Sequence, residues 1–109
     1  MAVVQKNGKL GYIDKTGREV IPLKLSYVSL GVFSEGLAYV QKIPFKRYFI
    51  DKTGREVLRC KYKFAFGFTE GLAIVFKSGK YGYIDKTGRE VIPCQYDKAC
   101  VFDEGLAEV

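Results

Sequence analysis

Two short strings, DKTGRE and EGLA, recur in step along the chain. A sequence that restates itself at this interval constrains the fold more than any local feature, because each unit must bury its apolar face against its neighbours. DKTGRE stands at Asp14 to Glu19, Asp51 to Glu56 and Asp85 to Glu90, and EGLA begins at Glu35, Glu70 and Glu104. Cutting after each EGL leucine gives units 2–37, 38–72 and 73–106, and residues 107–109 open a fourth. The whole chain, 1–109, therefore reads as one repeat domain. The drift in period has a place: two extra residues between Pro22 and Tyr27, and one around Ile43 to Lys46, both in connections.

Within a unit apolar residues alternate with a period of two, so the elements read as strands. The predicted strands are Leu37 to Gln41 and Leu72 to Phe76, Leu10 to Asp14 and Tyr81 to Asp85, then Arg18 to Ile21, Arg55 to Leu58 and Arg89 to Ile92. Asn7-Gly8 and Ser78-Gly79 suit tight hairpins that need positive φ. In DKTGRE, Asp fits the first position of a type I turn and Gly the bulge that closes it, which makes Gly17, Gly54 and Gly88 backbone requirements. The metal-loop alternative is disfavoured, because Lys and Thr occupy the positions where further oxygen ligands would be needed. Gly36, Gly71 and Gly105 are assigned to a second repeated turn, preceded by Phe33, Phe68 and Phe102 as core anchors. The expected fold is all-β: three tandem meanders of about 35 residues in an open or superhelical array, with a closed threefold or propeller-like body as the alternative.

The stretch Lys9-Leu10-Gly11-Tyr12-Ile13-Asp14-Lys15-Thr16-Gly17-Arg18-Glu19-Val20-Ile21-Pro22, followed by Tyr27 and Phe33-Ser34-Glu35-Gly36-Leu37-Ala38, resembles the WG-repeat family of bacterial tandem β-repeats. Unit three matches equally well from Lys80 to Ala107. The tryptophan that names the family is replaced by Leu10, Arg47 and Tyr81, and Tyr48 stands where the other units have Gly11 and Gly82. The resemblance implies a binding or scaffolding module, and supplies no catalytic residue to carry over.

The residues themselves point the same way. The chain has no histidine, no Gly-rich phosphate loop and no nucleophile beside a base, so no catalytic or metal site and no cofactor is expected. The carboxylates recur in near-identical contexts, whereas acid–base chemistry wants two groups in different environments. The leading expectation is a non-enzymatic module for protein binding, capable of self-association through the strand edges at its two ends. The three cysteines, Cys60, Cys94 and Cys100, cannot all pair, and leucine or phenylalanine fills the equivalent positions, so buried free thiols are expected in a reducing, cytoplasmic compartment. No stretch has the length of apolar sequence a bilayer crossing needs, and no membrane role is expected.

The second expectation is weak polyanion or nucleic-acid binding through unit two. Eight basic residues face three acidic ones there, against five and three in unit one and five and five in unit three. Lys46, Arg47, Tyr48, Lys61 and Lys63 form its candidate surface. An unbroken strand over Cys60 to Phe68 would place Cys60, Tyr62, Phe64, Phe66 and Phe68 on a core face, with Lys61, Lys63, Ala65 and Gly67 toward water. That arrangement commits the rings to the core and leaves the lysines without stacking partners.

Overall fold

A computed structural model describes residues 1–24, 27–43 and 46–109, without the side chains of Leu23 and Lys24. The expected insertions between Pro22 and Tyr27, and around Ile43 to Lys46, run through residues 25–26 and 44–45, which lie outside the described residues. All elements are strands: β1 (Ala2–Lys6), β2 (Lys9–Ile13), β3 (Glu19–Lys24), β4 (Tyr27–Leu30), β5 (Ala38–Lys42), β6 (Lys46–Ile50), β7 (Glu56–Arg59), β8 (Phe64–Ala65), β9 (Ala73–Lys77), β10 (Lys80–Ile84) and β11 (Glu90–Tyr96). They pair antiparallel into three sheets, ordered β1-β2-β3, β4-β5-β6-β7 and β8-β9-β10-β11. The array is open. Its radius of gyration is 14.4 Å, where a compact domain of this length would measure about 13 Å.

The sheets stack face to face because period-two alternation gives each middle strand two apolar faces. In sheet two, Ala38, Val40 and Ile50 pack with Tyr12, Ile21 and Tyr27. On the opposite face Phe49, with Tyr39 and Leu58, packs with Ala65, Ala73, Val75 and Ile84 of sheet three. Sheet two is therefore covered on both sides. Three aromatic pairs repeat this order along the stack: Tyr12 with Phe33, Phe49 with Phe68 and Tyr83 with Phe102, at ring separations of 4.9, 4.9 and 5.0 Å.

β4 has no counterpart among the strands expected from periodicity, and β8 is a short remnant of a longer expected one. Each comes from the end of one unit and pairs with the first strand of the next, β4 on β5 and β8 on β9. This is a strand exchange that ties neighbouring units through backbone hydrogen bonds as well as through side chains. The unbroken strand expected over Cys60 to Phe68 is corrected: only Phe64–Ala65 is strand. Phe64 and Phe66 are 50% and 49% exposed, while Ala65 is buried. The chain bends after Tyr62, and that bend exchanges the faces assigned by simple alternation.

The departure of unit two from its neighbours has a backbone cause. In β2–β3 and β10–β11 the register slips between Leu10 and Tyr12 and between Tyr81 and Tyr83, opposite Pro22 and Pro93. A Cβ on Gly82 would lie 2.6 Å from the Ile92 carbonyl oxygen. In β6–β7 that slip is missing: Tyr48 pairs directly with Arg59, which stands where the other units have proline. Without proline the ladder closes normally, and the glycine opposite it is no longer required.

Candidate functional site

DKTGRE is a hydrogen-bonded turn in each copy, closed by the Gly N–H on the Asp carbonyl at 3.0 Å. In each copy the Asp Oδ1 accepts from the Thr backbone N–H, the Thr hydroxyl and the Arg backbone N–H, as with Asp85 at 2.9, 2.6 and 3.1 Å. These donors hold Asp14, Asp51 and Asp85 below the usual carboxylate range, with the Thr hydroxyl the largest cause. Gly17, Gly54 and Gly88 have φ of +87°, +89° and +89°. The motif also reaches its neighbours. Glu90 accepts from the Tyr62 hydroxyl at 2.8 Å and from Lys77 at 3.2 Å, and Glu56 accepts from Lys42 at 2.8 Å. In sheet three the motif thus works as a turn and, through the Tyr62–Glu90 bond, as a clamp on the unit before it, whereas the Lys42–Glu56 contact lies within sheet two.

EGLA forms a second ladder. Ser34 and Leu37 exchange both backbone hydrogen bonds around Glu35-Gly36, as do Thr69 with Leu72 and Asp103 with Leu106. Glu35, Glu70 and Glu104 have φ of 54°, 52° and 51°, and Gly36, Gly71 and Gly105 have φ of 81–82°. Positive φ at both central positions is the tight-hairpin conformation that favours Asn-Gly, so glutamate is an unusual choice. Its carboxylate supplies the reason. Glu35 accepts from the backbone N–H groups of Glu70 and Gly71 at 2.5 and 2.9 Å, and Glu70 accepts from Gly105 at 2.8 Å. Lys86 completes the first rung, 3.4 Å from the Glu35 carboxylate.

With these groups occupied inside the stack, the surface of unit two remains. The five residues expected to form one surface are divided. Arg47 and Tyr48 occupy successive positions of β6 and so point to opposite faces, Tyr48 packing with the Tyr12 cluster. Lys61 and Lys63 are exposed on the link between β7 and β8. Lys46 and Arg47 line a cleft of about 340 Å³ at the β5–β6 hairpin with Val28, Gln41, Lys42 and Ile43. Val28 and Ile43 are 56% and 60% exposed. Lys42 is directly opposite Lys46 in the ladder, a repulsive pairing in isolation. Glu56 offsets it on the Lys42 side and raises the Lys42 pKa, whereas Lys46 has no acidic partner among the described residues. The Arg47 Nε is buried without a hydrogen-bond acceptor among the described residues. A buried N–H left in this state costs on the order of 1–3 kcal/mol.

Sequence reasoning overlooked a second feature. Phe64, Phe76 and Tyr81 stand in register across β8, β9 and β10, with ring separations of 6.0 and 4.8 Å. They lie on the face of sheet three turned away from sheet two. The signal was present in the count of aromatics, but the bend after Tyr62 was not.

The thiols of Cys60, Cys94 and Cys100 are unpaired, and burial pushes the Cys60 and Cys94 thiols up from their ordinary pKa. Cys100 departs from the expected buried slot: it is exposed, as is Phe66 at the equivalent position, because this residue sits at the outer rim of the strand exchange. Among the described residues no group of three His, Cys, Asp or Glu side chains could hold a metal ion.

A family model described as WG containing repeat matches the chain at residues 11–42, 49–81 and 81–109. No curated protein and no solved structure matches it.

Proposed function

As the chain belongs to the WG-repeat family, we propose that it is a non-enzymatic tandem β-repeat module that works by binding another protein at the β5–β6 hairpin. The observation that carries this reading is the buried Arg47 Nε beside Lys46, both without a partner among the described residues, in a cleft whose other walls include the exposed Val28 and Ile43. Two cationic groups call for carboxylates, and the aliphatic walls call for an apolar side chain between them. The fitting partner is an acidic segment with an apolar residue among its carboxylates. An enzymatic role finds no support in the carboxylates, since the repeated Asp groups share one environment and are engaged by turn donors. The test is fluorescence anisotropy with labelled amphipathic acidic peptides and with their Gln and Asn counterparts. Acidic peptides should bind, and Lys46→Ala with Arg47→Ala should weaken them at least tenfold while Lys61→Ala with Lys63→Ala leaves them unchanged. Equal binding of acidic and neutral peptides would remove this reading.

A second reading is favoured by the exposure of Phe64 and Phe66, which restores the stacking rings that simple alternation had assigned to the core. With Lys61 and Lys63 nearby in sequence, this face has the elements of a single-strand platform. Titration of single-stranded and duplex oligonucleotides at two salt concentrations separates the readings. A nucleic-acid platform requires single-strand preference, loss on Phe64→Ala and a salt slope reduced by about 0.7 for each lysine removed.

A further inference from the structure

The two ends of the stack carry the two halves of the junction that already joins its sheets. Inside the chain, a sheet presents an Ala-x-Val strand and an isoleucine to the sheet before it: Ala38, Val40 and Ile50 in sheet two, Ala73, Val75 and Ile84 in sheet three. In sheet one the same positions are Ala2, Val4 and Ile13, paired through β1 and β2 and partly or fully exposed. At the other end, Phe76 and Tyr81 occupy the positions of Gln5 and Leu10 on the receiving face, where Leu10 packs in the Tyr12 cluster. Phe64 extends that face through its register with Phe76.

The carboxylate ladder has matching free ends. Glu35 rests against the Glu70 and Gly71 N–H groups and Lys86. One repeat earlier, the equivalent Glu35, Gly36 and Lys52 line a solvent-open cleft of about 420 Å³ with Met1, Val20 and Phe33. Among the described residues the Glu35 and Gly36 N–H groups have no acceptor, and the Glu104 carboxylate at the far end has no donor.

We propose that the chain self-associates head to tail, the sheet-one face of one copy stacking on the sheet-three face of a second copy whose Glu104 enters the Glu35–Gly36–Lys52 cleft. The proposal rests on the module reading above but uses different residues, so its failure leaves the β5–β6 cleft untouched. The occupant is a second copy because the junction is continuous with one the chain makes twice within itself. Docking includes an exchange of strands. Ala107-Glu108-Val109 holds the place of an Ala-x-Val strand through a 3.0 Å bond from the Cys100 N–H to the Glu108 carbonyl. The incoming Ala2-Val3-Val4, already paired along β2, takes that place, and the Val3 carbonyl takes over from Glu108. The interface is heterologous, so growth ends only if the rotation per copy closes a ring.

Sedimentation velocity over a concentration series tests this. The wild type should exceed the 12.3 kDa of one chain as concentration rises. Glu104→Lys, altered at the tail, and Val4→Arg, altered at the head, should each associate at least tenfold more weakly. Mixed one to one, they should form a species of two chains and stop, because the intact head of the first meets the intact tail of the second. Ala2→Arg, at an exposed position of the same head face, replaces Val4→Arg if its thermal melt shows loss of folding. A wild type that stays at one chain mass, variants that associate like wild type, or a mixture that remains monomeric would each overturn the proposal.

Discussion

Gly88 shows how a single position serves both its turn and its neighbour. Its φ of +89° disfavours any side chain, and a Cβ there would lie 2.7 Å from Leu58 Cδ1 of the preceding sheet. At Gly17, with nearly the same φ, a Cβ would meet nothing within 4 Å. Gly17→Ala should therefore cost about 1–2 kcal/mol from the backbone alone. Gly88→Ala should cost about 1 kcal/mol more, since Leu58 must shift within a packed cluster. Denaturant unfolding of both variants, with and without Leu58→Ala, checks this: the excess at Gly88 should vanish in the Leu58→Ala background. The turn role of these glycines was legible because its chemistry is local. The contact with Leu58 was not, since it joins residues about thirty apart in sequence.

At the scale of the element, the aromatic pairs carry the stack. Phe68 is fully buried against Phe49, whereas Phe33, its counterpart, is partly exposed beside Tyr12. Phe68→Ala should cost about 3–5 kcal/mol, a large share of the 5–15 kcal/mol a domain has available, and Phe33→Ala distinctly less. Urea midpoints of the two variants give the comparison, and equal losses would contradict the ranking. β8 is the element least readable from sequence. Alternation over Cys60 to Phe68 is perfect on paper, yet the bend after Tyr62 places Ala65 inside and Phe64 outside. Pairing decided it: Ala65 lies opposite Val75, whose face was already fixed by packing on Phe49.

Across the whole molecule, carboxylates join the sheets. The Gly71 N–H holds Glu35 below its usual pKa, and the Tyr62 hydroxyl does the same for Glu90. A carboxylate whose folded pKa is depressed binds fewer protons folded than unfolded. It stabilises fully above the unfolded value of about 4.3, and that contribution fades as pH falls through the folded value. The melting temperature should therefore drop as the solution is taken below about pH 5, and Glu35→Gln should flatten that dependence. Melts of the wild type and Glu35→Gln across this range provide the check, and parallel curves would show that Glu35 plays no part in it.

The sequence by itself determined the repeat, its strands and its turns, because a 34–36-residue period, alternation and Asp-x-x-Gly or Asn-Gly chemistry are all written in neighbouring residues. It also contained the substitutions of Gly11 by Tyr48 and Pro22 by Arg59, but not their connection, which exists only where β6 meets β7. Tertiary structure alone decided that units exchange strands, that Glu35 and Glu70 form a ladder, and that Phe64 and Phe66 face solvent. The physical reason is common to all three. Which face of a strand is buried, and which backbone N–H receives a carboxylate, is set by the neighbouring repeat, and a local pattern specifies a strand's two faces without specifying what lies against each.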